Sequence, residues 1–184
     1  MDRVAVFIDG AYLDFVLRDE FERAPIDYGL FARELSGGKE ILRTYYYHCL
    51  PYQSDPPTTE EAERFGRMQS FISQINRLPR FKPRLGKLAH RGRRDDGTPI
   101  LVQKRVDIML GVDLVQLSIK QQVSTVILVA GDSDFLPAVE IAREEGVVVH
   151  LFHGTVHPPH RELWDACDER TVISRRLIDR VRRV

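Results

Sequence analysis

Four aspartates stand next to apolar segments, at positions where their carboxylates could meet and do chemistry. Asp9 ends the apolar run "VAVFID", and Asp132 and Asp134 follow "VILVAG" with a single serine between them. Asp107 stands at the start of a predicted helix, "VDIMLGVDLVQLSIKQQ". Carboxylates that converge repel one another, so proteins keep such clusters mainly where a cation neutralises them or where they share a proton.

These side chains predict a divalent metal site. Carboxylate oxygens without nearby His or Cys favour Mg²⁺ or Mn²⁺ over zinc. We therefore expect one or two Mg²⁺ or Mn²⁺ ions, bound by Asp9, Asp107, Asp132 and Asp134. Such a site suits phosphoryl chemistry, because the metal activates water and neutralises the charge that builds up on the phosphate. The alternative is that Asp9 and Asp132 only cap the helices that follow them, since Asp is a favoured N-cap residue.

Asp113 lies on the same predicted helix as Asp107 but cannot share its face. Six residues separate the two, which is about 240° around a helix of 3.6 residues per turn. Asp107 is favoured for the cleft because it lies nearer the basic segment described next. Asp113 is then a supporting acid or the partner of an arginine. The helix is expected to be well buried, because its middle is apolar on most sides: Ile108, Leu110, Val112, Leu114, Val115, Leu117.

A basic segment covers residues 77–105. It contains ten of the chain's 27 Lys and Arg residues and two of its 27 Asp and Glu residues, so it carries +8 and the rest −8. Such a density of positive charge is expected of a contact with a phosphate backbone. The residues predicted to make it are Arg91, Arg93, Arg94, Lys104 and Arg105. The alternative is a solvated surface hairpin with no partner.

The elements that must position these residues alternate along the chain. Strands are predicted over 3–9, 40–50, 124–131 and 147–154, with helical patterns between them. This alternation predicts βαβ units and a largely parallel sheet covered on both faces. Ligands of such sheets bind at the carboxyl ends of the strands, near the point where strand order reverses. If the strands that lead to Asp9 and Asp132 are neighbours, the carboxylates converge on one edge.

Local signals refine three of these elements. Asp27 is a plausible N-cap for the helix "DYGLFARELS". Thr59 is predicted to cap the helix that follows it, with Ala62 where a capping box would want Glu or Gln. Asp95-Asp96-Gly97 is predicted to form the turn of a basic hairpin.

The bulk composition indicates one globular domain. The chain has 184 residues and is 43% hydrophobic, which is enough for a proper core. Its two cysteines, Cys49 and Cys167, do not suggest a secreted disulfide framework. No apolar run reaches the roughly 20 residues that span a bilayer. A soluble cytoplasmic protein without membrane contact is therefore expected.

Several segments resemble a known family. "VFIDGAYL", "KRVDIMLGVDLVQLS" and "VILVAGDSDFLPAVEIAREEGVVVHLF" resemble the NYN domain, specifically its LabA-like branch, within the PIN-like ribonuclease superfamily. "RELWDACDER", with Leu163 and Asp168, resembles the helix that closes these domains. The likeness covers most of residues 3–170. It implies a three-layer α/β/α, Rossmann-like fold around a mainly parallel sheet, and metal-dependent RNA cleavage at Asp9, Asp107, Asp132 and Asp134.

The resemblance has one departure. Many relatives have Asn three residues after the first Asp, where this chain has Tyr12. Tyr cannot replace Asn as a small amide ligand, although its ring could stack on a base. The nuclease domain is expected over 1–170, with the basic arm inserted at about 77–105 and a basic tail over 171–184. That tail could bind RNA, dock a second protomer or pack onto the domain.

The expected function is metal-dependent hydrolysis of phosphodiester bonds, of the endoribonuclease type. A metal-bound water would attack in line, positioned by Ser133 or a backbone amide. RNA is the expected partner, and single-stranded DNA is the alternative. A non-catalytic RNA-binding or adaptor module with the same fold is the rival from another class. A third possibility is a regulated nuclease, silent until a homo-oligomer or an activating protein partner forms.

Two other site types are weaker. A haloacid-dehalogenase-like phosphatase needs a second Asp two residues after the first, where this chain has Ala11. His153, His157 and His160 are close enough in sequence to suggest zinc. They lie in a Pro-containing loop without Cys or helical spacing, so a plain polar loop is the better interpretation.

Overall fold

The computed structural model describes residues 2–183, apart from the side chains of residues 89, 90, 93, 99, 103 and 104. The strands are β1 (Arg3–Asp9), β2 (Glu40–Cys49), β3 (Phe81–Arg93), β4 (Pro99–Lys104), β5 (Thr125–Val129), β6 (Val148–His153) and β7 (Glu169–Val172). The helices are α1 (Gly10–Glu20), α2 (Tyr28–Leu35), α3 (Thr59–Arg77), α4 (Val106–Ile119), α5 (Leu136–Glu144), α6 (Arg161–Ala166) and α7 (Arg175–Val181), with a 3-10 turn at Ser133–Phe135. No helix of the described residues is long and apolar enough to cross a bilayer.

The seven strands form one sheet in the order β4-β3-β2-β1-β5-β6-β7. All neighbouring pairs are parallel except β3 and β4, which are antiparallel. The chain builds the sheet outward from β1 in one direction through β2 and β3. It then returns beside β1 with β5 and continues the other way. Strand order therefore reverses between β1 and β5, which confirms that the strands leading to Asp9 and Asp132 are neighbours.

Helices cover both faces of the sheet. Side chains of successive strand residues point to opposite faces, and β1 divides accordingly. Val4, Val6 and Ile8 join one core cluster, with residues of α1, α2, α3 and α7. Ala5 and Phe7 join the other, with residues of α4, α5 and α6. This confirms the predicted three-layer α/β/α fold.

The predicted burial of α4 is only half right. Leu110, Leu114 and Leu117 are buried against the sheet, but Ile108 is 71% exposed and Val112 is 59% exposed. An apolar sequence on all sides of a helix cannot show which side receives a neighbour. Here α4 lies on the outer surface of its layer, and its far side is uncovered by the described residues.

The start of α3 corrects another prediction. The N-cap is Thr58 and not Thr59, because the Thr58 hydroxyl accepts the Glu61 amide hydrogen at 3.2 Å. The Glu61 carboxylate in turn accepts the Thr58 amide at 3.0 Å. The capping box is therefore complete, and a shift of one residue had hidden it. The predicted cap at Asp27 is confirmed, with its carboxylate accepting the Leu30 amide at 2.8 Å.

The basic segment forms the predicted hairpin, whose strands β3 and β4 are the last two at one side of the sheet. β3 pairs with β2 from Phe81 to Gly86, and from Lys87 onward it pairs with β4 instead. The part of β3 beyond Gly86 therefore projects past the carboxyl end of β2. The turn is the predicted one, since the Asp96 carboxylate accepts the Thr98 amide at 2.9 Å. The segment is not all hairpin, because Arg77 is the last residue of α3.

The C-terminal segment packs onto the domain, one of the three roles left open. Leu177, Ile178 and Val181 are buried in the same core cluster as α1 and α2. Arg180 pairs with Glu34 at 2.8 Å. The boundary expected at residue 170 falls inside β7, and Val184 lies outside the described residues.

Candidate active site

Asp9 ends β1 and caps α1, so its carboxylate lies at the carboxyl edge of the sheet. Its Oδ1 atom accepts the amide hydrogen of Tyr12 at 3.2 Å. Burial is the main cause that raises the pKa of Asp9, and the negative charge of Asp107 adds to it. Against the lowering effect of the Tyr12 amide, the net pKa is about 6. Asp9 is therefore a carboxylate whose ionisation the fold opposes.

Asp132 and Asp134 occupy the turn that follows β5, the neighbour of β1. Asp132 is the N-cap of the 3-10 turn, and its Oδ1 atom accepts the Asp134 amide at 3.1 Å. Both carboxylates are exposed. Between them the Ser133 hydroxyl lies 3.4 Å from Nδ1 of His160.

Asp107 stands in the first turn of α4 and is half-buried. Burial raises its pKa, and the negative charges of Asp132 and Asp134 raise it further. Because Asp9 also feels the charge of Asp107, carboxylates from three different elements influence one another across the carboxyl edge. The structure thus brings the four predicted aspartates to one region, at the point where strand order reverses.

Helix capping accounts for only part of this cluster. Asp9 and Asp132 do cap the helices that follow them, as the alternative interpretation predicted. Asp107 does not, because the N-cap position of α4 is Arg105, with a left-handed φ of 77°. Asp134 follows a cap and is not one. Two of the four acids therefore need another explanation.

The donor chemistry fits a hard divalent cation. Within the described residues, no three Asp, Glu, His or Cys side chains are grouped closely enough to hold one ion together. Mg²⁺ does not require such a group, since it is usually held by one or two carboxylates together with water and substrate phosphates. The exposed carboxylates of Asp132 and Asp134 and the half-exposed carboxylate of Asp107 suit that mode of binding.

Asp113 faces away from this edge and has a structural partner. It is 5% exposed, and its Oδ2 atom accepts hydrogen bonds from Nε of Arg84 and from the Tyr47 hydroxyl, each at 2.9 Å. Its Oδ1 atom accepts from the Arg84 guanidinium at 2.5 Å. Of the two roles predicted for Asp113, the structure shows the partner of an arginine.

Tyr12 is not placed to stack on a base. Its side chain is only 9% exposed. Its hydroxyl donates to the carbonyl oxygen of His157 at 2.7 Å and accepts the Gly154 amide at 3.1 Å. The expectation failed because strand β6 and the loop after it close over the first turn of α1, which the local sequence does not reveal.

His48 is a neighbour of the cluster that the sequence analysis missed. It follows Tyr47, the β2 residue in register with Asp9, and its Nε2 atom lies 3.1 Å from Oδ2 of Asp14. Burial alone would lower the pKa of His48, but the hydrogen bond to Asp14 and further contacts raise it. The rule that marked Asp9, a polar residue at the carboxyl end of a central strand, could have found His48.

The loop histidines have separate partners. His153 contacts the carbonyl of Gly154 through Nδ1 at 2.8 Å, and His157 pairs with Asp19 at 2.5 Å. His160 lies at Ser133. The described histidines of this loop therefore have three different partners.

Three of the five side chains predicted to contact phosphate are described by the structure. Arg91, Arg94 and Arg105 are exposed, and Arg105 directly precedes α4 and the Asp107 turn. The side chains of Arg93 and Lys104 lie outside the described part of the structure. The hairpin thus presents arginines on the same side of the sheet as the acidic cluster.

A groove leads away from the cluster between α4 and α5. Its volume is about 1250 Å³, and Arg105, Asp107, Ser133 and Asp134 line it near the acidic turn. Apolar side chains form its walls farther along, among them Ile108, Val112, Val115, Leu136 and Ile141. The exposed apolar side of α4 is therefore one wall of a cleft that opens beside the carboxylates.

Comparison with known proteins identifies the family. The sequence model of the NYN domain family matches residues 3–174, nearly the whole chain. The chain belongs to the NYN domain family. NYN domains are part of the PIN-like nuclease superfamily and are typically ribonucleases.

A solved structure similar to this NYN domain has the same fold. The crystal structure of a protein of unknown function from Vibrio parahaemolyticus, VPA0982, superimposes with a TM-score of 0.65 over 95% of this chain and 94% of that one, at 21% identity. An uncharacterized protein, y4oD, from Sinorhizobium fredii is 41% identical over 56 residues, which are 30% of this chain. The match covers 25% of that curated relative's length.

Proposed function

We propose that this NYN domain is a metal-dependent nuclease that hydrolyses phosphodiester bonds of RNA, as an endoribonuclease. The observation that carries the proposal is the repulsion of Asp107 with Asp9, Asp132 and Asp134, acids from three elements at the switch point of the sheet. The pKa values of Asp9 and Asp107 are raised by burial and by neighbouring carboxylates, which marks a cluster that a cation would stabilise.

Each part of the cluster has a role in the proposal. The four aspartates would hold one or two Mg²⁺ or Mn²⁺ ions. When bound, such an ion lowers the pKa of a coordinated water and neutralises charge on the phosphate. Ser133 or a backbone amide of the Asp132 turn would position the attacking water. The half-buried Asp9, whose carboxylate accepts the Tyr12 amide, would keep one carboxylate in a constant position.

Substrate binding is assigned to the basic hairpin. Arg91, Arg93, Arg94, Lys104 and Arg105 would hold the phosphate backbone. Contacts of this kind position a nucleic acid but carry little sequence information. The groove between α4 and α5 continues from the acidic turn and offers room for the strand beyond the scissile phosphate. RNA is the proposed substrate, and single-stranded DNA is the alternative.

One observation favours a second candidate, a non-catalytic RNA-binding module. No three potential ligands of the described residues are grouped closely enough to share an ion. An adaptor would keep the fold and the basic hairpin without binding metal tightly. A regulated nuclease that waits for an oligomer or a protein activator would instead bind Mn²⁺ even while inactive.

Two finer assignments belong to this proposal. Membership of the LabA-like branch is supported by the quoted motifs around Asp9, Asp107 and Asp132. A cytoplasmic location is supported by the use of only two cysteines, both buried.

The experiment is cleavage of labelled single-stranded RNA, hairpin RNA and single-stranded DNA with Mn²⁺, Mg²⁺ or EDTA. Wild type is compared with Asp9→Asn and Asp132→Asn, which keep a capping side chain at each position. We expect metal-dependent cutting of RNA that both variants lose. Binding without cutting, together with weak Mn²⁺ affinity, would favour the adaptor, and tight Mn²⁺ affinity without cutting would favour the regulated nuclease.

A further inference from the structure

Tyr12 contacts three segments at or beside the acidic edge: Asp9, Gly131 and the loop after β6. Its amide holds Asp9 at 3.2 Å. Its hydroxyl donates to the His157 carbonyl at 2.7 Å and accepts the Gly154 amide at 3.1 Å. One buried residue thus connects the end of β1, through its amide, with the loop after β6, through its hydroxyl.

The ring of Tyr12 also lies directly on the backbone of Gly131, the residue before Asp132. A Cβ atom built at Gly131 would lie 2.5 Å from Cε2 and 2.8 Å from Cδ2 of the Tyr12 ring. Real Cβ atoms do not approach other atoms so closely, so a glycine is required for this contact. The ring therefore sets the distance between α1 and the turn that carries Asp132 and Asp134.

The loop after β6 also contacts the Asp132 turn directly. The His160 amide donates to the carbonyl of Gly131 at 2.9 Å, and the His160 ring lies at Ser133. A chain of contacts runs from Asp9 through Tyr12 to the 154–160 loop and returns through His160 to Gly131. This chain of contacts includes Asp9 at the start of α1 and Gly131 at the start of the Asp132 turn.

Helix α1 anchors the same loop at two more positions. The Glu20 carboxylate accepts the amides of Thr155 and Val156 at 2.9 and 3.0 Å. His157 pairs with Asp19 at 2.5 Å. Glu20 and Asp19 lie about two turns after Tyr12, so the loop runs along one side of α1 and Tyr12 holds the end nearest the carboxylates.

We propose that Tyr12 is a positioning residue that holds the Asp132 turn and the 154–160 loop at a fixed distance from Asp9. The proposal rests on the nuclease function proposed above. Tyr12 touches neither the substrate nor the metal in this account. It acts by keeping carboxylates that repel one another from moving apart.

The first variant, Tyr12→Phe, keeps the ring on Gly131 and removes the two hydroxyl contacts. We expect faster amide hydrogen exchange over residues 154–160 and 131–134. We also expect Mn²⁺ affinity to fall by about tenfold or more, since loss of groups that orient metal ligands typically costs 10–100-fold. On RNA, kcat should fall while KM stays within about twofold, because the hairpin is untouched. Tyr45→Phe is the matched control, since it removes a hydroxyl on the other face of the sheet.

The second variant, Gly131→Ala, tests the ring contact without changing Tyr12. The added methyl group must displace the Tyr12 ring or the Asp132 turn, so Mn²⁺ affinity should fall while circular dichroism shows a folded protein. Gly66→Ala is its control, because a Cβ at Gly66 meets no atom within 4 Å.

Wild-type exchange at residues 131–134 and wild-type Mn²⁺ affinity in Tyr12→Phe would overturn the proposal. The failure of the nuclease function is distinguishable from this result. If wild type neither cleaves RNA nor binds Mn²⁺, the exchange data still decide the role of Tyr12. Faster exchange of the Asp132 turn in Tyr12→Phe would then support the positioning role, and unchanged exchange would refute it.

Discussion

At the residue scale, Asp9 shows how the fold places a carboxylate against its own preference. Its position at the end of β1 satisfies the first turn of α1. The same position buries the carboxylate and exposes it to the charge of Asp107, so its pKa rises from 3.8 to about 6. A residue that served only as an N-cap would stabilise the protein more if its charge were neither buried nor repelled by Asp107.

We predict that Asp9→Asn stabilises the metal-free protein at pH 7.5 and abolishes cleavage. Asn caps a helix as well as Asp does but carries no charge. Because the pKa of Asp9 is raised to about 6, removal of its charge corresponds to a gain of about 1–3 kcal/mol in the free energy of unfolding. Denaturant unfolding measures it. Asp27→Asn is the matched control, because Asp27 caps α2, which contributes nothing to the acidic cluster.

The pH dependence of this effect has a defined sign. The folded protein binds the Asp9 proton more tightly than the unfolded chain does. The stability contributed by that proton is therefore full below about pH 4 and is lost as the pH rises through about 6. The advantage of Asp9→Asn should be larger at pH 7.5 than at pH 5. A variant less stable than wild type at pH 7.5 would contradict this account of Asp9.

Residue roles were predictable where the decisive neighbour is close in sequence. The caps at Asp9, Asp27 and Asp132 need only the next three residues. Helical spacing also separated Asp107 from Asp113. The burial of Tyr12 depends on Gly131 and on the loop at 154–157, more than a hundred residues away, so local pattern could not reveal it.

At the element scale, the start of α3 offers a test of one-residue precision. Loss of the Thr58 hydroxyl removes half of the capping box, so Thr58→Ala should cost about 1 kcal/mol of unfolding free energy. Thr59→Ala, one residue later, should change it by less than about 0.5 kcal/mol. Denaturant unfolding of the two variants compares them directly. Equal losses of unfolding free energy in the two variants would contradict the assignment of Thr58 as the N-cap.

The hairpin is the element assigned to substrate binding. Replacing Arg91 and Arg94 by Ala should weaken RNA binding and reduce the slope of log affinity against log salt by about 1.4, at about 0.7 per phosphate contact on a single strand. Mn²⁺ affinity should stay unchanged. Arg64→Ala with Arg67→Ala on α3 is the control for lost charge. An unchanged salt slope would remove the hairpin from the binding site.

Strand and helix types were largely predictable from apolar periodicity, but the surroundings of the elements were not. β3 was expected as part of an arm, yet its first half is a strand of the main sheet beside β2. Its basic composition hid this role, because a strand near the edge of the sheet does not require an apolar sequence. Helix α4 shows the opposite case: its sequence is apolar on most sides, yet Ile108 and Val112 are exposed.

At the scale of the whole molecule, the topology explains why the site lies where it does. Strands β1 and β5 are built from distant parts of the chain and meet where strand order reverses. The hairpin formed by β3 and β4 projects from the same edge, and α4 begins two residues after β4 ends. An acidic cluster and a basic arm are thus adjacent although net charge is zero, and composition alone could not show that arrangement.

The most direct test of the central claim compares two aspartates of one helix. Asp107 faces the acidic cluster, and Asp113 faces Arg84 and Tyr47. Single-turnover cleavage of RNA would be measured against Mn²⁺ concentration for wild type, Asp107→Asn and Asp113→Asn. We predict that Asp107→Asn loses at least about a hundredfold in rate or needs far more Mn²⁺. Asp113→Asn should lose thermal stability and cut at a rate near that of wild type. Equal cleavage by wild type and Asp107→Asn would contradict a metal-dependent site at this edge of the sheet.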